Sequence, residues 1–186
     1  MFSACSFNAS KPAPMFKVSG TLNYQKQITL PENSRVIVIW QVTADDPDYG
    51  HVYGEGKIYS ENNTFEIEFD SPPPSEALNW SGSSALGVGF VIITTDQSIE
   101  TGKLTSDAFS TDVILGASGQ YALIYVNGKF ELMEERYWFT DYIQGYSVGK
   151  GVDIPDSVFD GFEPVDPTAM EIIIDDFEDI EFPNWT

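Results

Sequence analysis

Cysteine and histidine occur once each among the 186 residues, as Cys5 and His51. A single thiol excludes an intramolecular disulfide, and with it a fold stapled by cystine, without assigning a redox compartment. One cysteine and one histidine cannot supply the nitrogen and sulfur ligands of a structural zinc. Nucleophilic catalysis is equally hard to build, because a single imidazole would have to activate any Ser or Cys nucleophile, and no catalytic residue is expected. Basic residues are scarce too: Lys and Arg total 9 against 29 Asp and Glu, for a net charge of −20 and a pI near 4.1. A field of that sign repels polyanions, which excludes nucleic acid as a partner and disfavours adsorption of the folded domain to anionic lipid. Cations, neutral sugars, apolar ligands and basic proteins remain compatible. No apolar run reaches the roughly 20 residues that span a bilayer, and Met1–Ala4, ahead of Cys5, hold no signal-peptide core. Repeats of fixed period and convincing amphipathic helices are also missing.

What is present is a core. Hydrophobic residues make up 42% of the chain and aromatics 14%, which excludes a disordered chain despite the charge imbalance. A single domain of this length buries roughly 70% of its unfolded surface. The apolar positions recur with period two. Phe16, Val18, Gly20, Leu22 and Tyr24 alternate with Lys17, Ser19, Thr21 and Asn23, and Phe65, Ile67 and Phe69 alternate with Glu66, Glu68 and Asp70. This is the signature of half-buried strands. In Val36–Val42 both parities are apolar, which predicts a central strand covered on both faces. Gly54 and Gly56 in the next extended segment mark a bulge or a close backbone approach. Pro72-Pro73-Pro74 must end the strand before them, and Asn127-Gly128 is a tight-turn pair. Residues 85–96 and 113–128 are further apolar strands, "AMEIIIDD" (169–176) is a last one, and 129–151 is ambiguous between a strand pair and a helical turn around Leu132–Trp138, with mostly extended structure expected. About eight strands separated by Gly, Pro, Asn and Asp clusters predict an all-β, antiparallel β-sandwich in one domain.

Phe2-Ser3-Ala4-Cys5 resembles the lipobox of bacterial lipoproteins, in which an apolar and two small residues precede a lipidated cysteine. Residues 6–14, "SFNASKPAP", read as an extended leash. The expected division is therefore 1–14 as lipobox remnant and flexible tether, and 15–186 as the β-sandwich with an acidic C-terminal tail. The resemblance implies a bacterial cell envelope lipoprotein, touching the membrane only through lipid on Cys5. Ser6 rather than Asp after the cysteine implies the outer membrane. Residues 18–46 are also similar to the N-terminal part of small envelope lipoproteins, whose members imply location more than chemistry. The position of Trp40 resembles the core tryptophan of immunoglobulin-like domains, without the flanking cysteines; an immunoglobulin-like or transthyretin-like architecture is the expectation that follows.

Two constellations could carry a ligand. Asp45, Asp46 and Asp48 surround a proline turn and could converge on calcium, as could Asp153, Asp156 and Asp160, although neither follows the EF-hand spacing and a solvated acidic loop is the plainer reading. His51, just after the first cluster, reads as a surface imidazole with a slightly favoured proton. Tyr137, Trp138, Phe139, Tyr142 and Tyr146 crowd one segment, with Trp80 and Trp185 elsewhere. Such rings stack on sugars or anchor a protein partner, or they complete a core. The expected role is non-catalytic binding or scaffolding with an envelope protein or glycan as partner, and the alternative is a carbohydrate-binding or glycan-processing accessory that uses Tyr137, Trp138, Tyr142 and Tyr146.

Overall fold

The computed structural model describes residues 13–25, 29–42, 49–105, 113–132, 135–136, 138–151 and 162–174, with the backbone alone at 49, 132, 135–136, 138–139 and 162. Within them the chain is all-β. The strands are β1 (Phe16–Tyr24), β2 (Arg35–Gln41), β3 (Tyr49–Tyr59), β4 (Thr64–Phe69), β5 (Asn79–Ser81), β6 (Ser84–Thr94), β7 (Gly102–Thr105) and β8 (Ile114–Ala117). They continue with β9 (Tyr121–Asn127), β10 (Glu131–Leu132), β11 (Glu135–Arg136), β12 (Gly145–Gly151), β13 (Phe162–Val165) and β14 (Met170–Ile174). The only helical pieces among the described residues are short 3₁₀ turns, including Ser75–Ala77 and Trp138–Asp141.

Alternation in sequence becomes burial in three dimensions. In β4, Phe65, Ile67 and Phe69 are buried while Glu66 and Glu68 face outward. β2 has two apolar faces, as its sequence requires. Val36, Val38 and Trp40 enter the main core with Val18, Leu22, Phe65 and Ile172, whereas Ile37 and Ile39 join a second cluster with Val52, Ile92, Ile99 and Leu104 under β7. Opposite the bulge in β3, Ile37 pairs with Glu55 and Ile39 with Val52, so two residues of β3, Tyr53 and Gly54, face Val38 alone and Gly54 takes φ +112°. There a Cβ would stand 2.6 Å from the Phe69 ring. Gly56 permits the close backbone approach, since its Cβ would lie 2.1 Å from the carbonyl oxygen of Glu66.

The expected sandwich of two separate sheets is replaced by a closed ladder. β6 pairs with β2, and the order then runs β2-β3-β4-β1-β14-β8 back to β6. These strands form a seven-strand barrel. The expectation of antiparallel pairing fails at one seam, where β14 lies parallel to β1 with Gly20 opposite Met170 and Tyr24 opposite Ile174. Closure removes the open edges that two stacked sheets would leave. The long β6 also forks. Its first half pairs with β9, Ala85 with Asn127 through Gly89 with Leu123, and its second half pairs with β8. At the fork the Ser118 Oγ accepts from the Val91 N–H at 3.2 Å and donates to the Tyr121 carbonyl at 2.8 Å, bridging the gap that the diverging strands leave. The apolar run 113–128 is thus two strands, broken at Gly119 with φ +52°. β9, β12 and the edge strand β13 continue from the fork as a wing, and Pro164 in β13 blunts its free edge. The wing's outer face (Leu86, Val88, Ile124, Val126) is covered by Phe130 and Ile143. The extended structure expected of residues 129–151 is found in β10, β11 and β12, and the described helical turn lies at Trp138–Asp141 rather than around Leu132–Trp138.

Candidate functional site

One end of the barrel carries the side chains of interest. There β1 begins, β2 and β4 finish, and β6 projects past them into the wing: Phe16 pairs with Phe69, Trp40 with Gly89, and Gly87 with Tyr125. Tyr146 sits at the centre. Its ring stacks on Phe69 at 4.8 Å and on Phe16 at 5.1 Å, meets Tyr125 edge-on at 4.9 Å, and lies 6.2 Å from Trp40. Offset and edge-on geometries of this kind add cohesion beyond burial itself. Gly87 and Gly89 make room for the indole, because a Cβ at either would stand 3.0 Å from a Trp40 ring atom.

A proline-rich strap, residues 71–78, crosses this end. The Ser71 carbonyl accepts the hydroxyls of Tyr146 at 2.8 Å and Tyr53 at 3.2 Å, and Ser71 Oγ lies 2.8 Å from the Tyr53 hydroxyl. The Trp40 indole donates to the Tyr53 carbonyl at 2.8 Å. Ala77 and Leu78 plug the opening, and the Trp80 indole donates back to the Ser75 carbonyl at 3.0 Å. Burial above all, helped by the neighbouring Tyr53 and Tyr125, holds the Tyr146 phenol well above its ordinary value. It therefore stays a hydrogen-bond donor at any physiological pH.

These contacts correct the sequence expectations. Tyr146 is half-buried and packed against the core rather than standing on an exposed platform, while Tyr142 is 80% exposed. Tyr137 and the Trp138 side chain lie outside the described residues, as do Cys5, Asp45, Asp46, Asp48, Asp153, Asp156, Asp160 and Trp185. Among the described residues no group of three or more His, Cys, Asp or Glu side chains is arranged to hold a metal. His51 is buried, not superficial, at 7% exposure. It pairs across to Trp40 on β2 and to Lys103 on β7, and its Nδ1 is buried without a hydrogen-bond partner. Burial lowers its pKa below 6.5 despite the opposing pull of Glu76. The sequence neighbourhood suggested a favoured proton; the barrel supplies the desolvation that disfavours one.

Against the expectation that the chain holds no G-x-S-x-G sequence, Gly145-Tyr146-Ser147-Val148-Gly149 matches the spacing of a hydrolase nucleophile turn. That chemistry needs a sharp turn from strand into helix that presents the serine. Here the five residues lie inside β12, and Ser147 pairs with Ile124 on the wing's outer face, whereas His51 shares the face of Trp40. Strand pairing thus separates the serine from the imidazole. The residues that the sequence reading missed are Tyr53, Tyr125 and Ser71, and the only signal for them is their alternation with apolar neighbours.

Comparison with known proteins finds no matching family model, no matching curated protein and no matching solved structure.

Proposed function

We propose that this chain is a non-catalytic binding or scaffolding module of a bacterial cell envelope, held at the outer membrane through lipid on Cys5. The observation that carries the binding half is the filled barrel. Trp40, Phe65, Ile67 and Phe69 are at most 1% exposed, and aromatic rings and strap close one end. With side chains packing the lumen, recognition falls to the outer surface, whose charge suits a basic face of an envelope protein. The anchor half rests on the Phe2-Ser3-Ala4-Cys5 resemblance. A sandwich kinship of immunoglobulin-like or transthyretin-like type is kept in a looser sense: opposite walls of the barrel, β2–β6 and β4–β1, face each other across one core as two sheets do.

A second reading, glycan binding, is favoured by exposed rings. Trp80 is 49% and Tyr142 80% exposed, while Tyr146 leaves the set of available aromatics.

Metabolic labelling with a palmitate analogue tests the anchor. Expressed in its natural host from the native gene, the wild-type chain labels and partitions with membranes, and Cys5→Ala does neither. Equal labelling of the two forms, or none in the wild type, removes the lipoprotein reading.

A further inference from the structure

Building on the Cys5 anchor, we propose that the strap end is the membrane-facing end of the barrel, seated on a neutral phospholipid headgroup layer through Trp80, with Met15 and Tyr142 beside it. Strand direction carries the first step. Because β14 runs parallel to β1, both strands start toward the strap end and finish at the opposite one. The leash joins the barrel just ahead of Phe16, at the strap end, and the last described residue, Ile174, lies at the far end. Eight Cα-to-Cα steps, with seven residues between, separate Cys5 from Ala13. Even fully drawn out they reach no more than about 29 Å, about the length of the nine-residue β1 at roughly 3.3 Å per residue, so a lipid on Cys5 holds the strap end nearer the bilayer.

Exposed apolar side chains carry the second step. Four large hydrophobics are exposed among the described residues: Met15 (58%), Trp80 (49%), Tyr142 (80%) and Ile173 (49%). Met15 adjoins Phe16. Trp80 is tied to the strap through Ser75. Tyr142 precedes Gln144, whose amide donates to the Gly128 carbonyl and accepts from the Gly128 N–H, next to the start of β6. Three of the four thus gather where the leash departs, and only Ile173, opposite Asn23 and Ala117, lies at the other end. Tryptophan and tyrosine favour the headgroup layer, where an apolar ring and a polar edge are both solvated. Charge fixes the lipid class. Glu76 and Asp70 are exposed at this end, so an anionic surface is repelled and a zwitterionic one is not.

The single cysteine makes the test direct. The purified chain is coupled through Cys5 to a maleimide-headgroup lipid in phosphatidylcholine vesicles, with or without brominated acyl chains, and tryptophan fluorescence is read. Quenching is expected in the wild type, with loss of most of the quenched component in Trp80→Phe. A second form, Cys5→Ser with Glu61→Cys, is coupled through the β3–β4 turn at the far end, and there the Trp80 component is expected to stay unquenched. Hydrogen exchange of residues 71–78 gives an independent readout: slower exchange on vesicles for the Cys5-coupled form only. Equal quenching from both attachment points, or none from Cys5, overturns the orientation. Coupling is chemical, so this outcome does not depend on whether cells acylate Cys5, which the palmitate experiment decides separately.

Discussion

Gly87→Ala tests whether the barrel end is packed as tightly as its rings indicate. The added Cβ would stand 2.7 Å from Leu78 Cδ2 and 3.0 and 3.1 Å from Cε3 and Cζ3 of Trp40. The Leu78 methyl is the end of a side chain that is itself buried, so displacing it carries part of the cost. The indole cannot easily shift, because it is fully buried, bonded to the Tyr53 carbonyl, and flanked by Phe69 and Tyr146. Overpacking of a well-filled core costs about 1–3 kcal/mol, and the loss of glycine's unfolded-state freedom returns about 0.4–1 kcal/mol. The expected net destabilisation is therefore about 1–2 kcal/mol. Urea denaturation followed by circular dichroism should show the midpoint falling by roughly 0.5–1 M with no change in slope. Leu78→Ala removes the nearest obstructing atom. In that background the cost of Gly87→Ala should shrink by about 1 kcal/mol, a coupling well above the usual error of such cycles. A Gly87→Ala protein as stable as the wild type, or strictly additive costs, would refute the packing argument.

Three further outcomes follow from the same structure. His51 has its folded pKa depressed below 6.5 by burial, so below that value the unfolded chain takes up a proton that the native one refuses; stability is full above pH 6.5 and declines as pH falls from there toward the folded pKa. Urea midpoints between pH 7.5 and 5 should show this decline, and His51→Gln should flatten it; an unchanged slope in the variant would remove the assignment. Asp96, bonded first to Ser98, and Asp166, bonded first to the Thr168 N–H, have lowered pKa values, and their contributions vanish only in more acid solution, below about pH 4. Ser118→Ala orphans the buried Val91 N–H and should cost about 1–3 kcal/mol, whereas Ser118→Thr, which keeps the hydroxyl, should recover part of it; calorimetric melting distinguishes the two.

Local order was legible because it depends on neighbours in the chain. The two-sided burial of β2, the alternation of β4 and the bulge at Gly54 each follow from spacing within about ten residues. Closure was not legible, since it rests on β6–β8 pairing and on the parallel β1–β14 seam, contacts between distant segments that no periodicity encodes. The fork in β6 hides for the same reason: a continuous apolar strand reads identically whether one neighbour or two share its edge. Tyr146 illustrates the limit at the site. Beside Tyr142 in sequence it looks like one of a row of rings, yet strand pairing with Tyr125 turns it inward, while Tyr142 precedes the strand and stays out. His51 was misjudged because an acidic turn in sequence says nothing about the indole and strap that desolvate it.

The parallel seam has a temporal consequence. β14 is the stave that completes the ring, wedged between the first strand and β8, and it is also the last strand of the fourteen to leave the ribosome. Until Met170–Ile174 emerges, β1 and β8 each hold an unfilled row of backbone donors and acceptors, and the ring cannot shut. A nascent chain so arranged stays open to chaperones until β14 is available to pair. Pairing of β14 with β1 and β8 is then the event that closes the barrel.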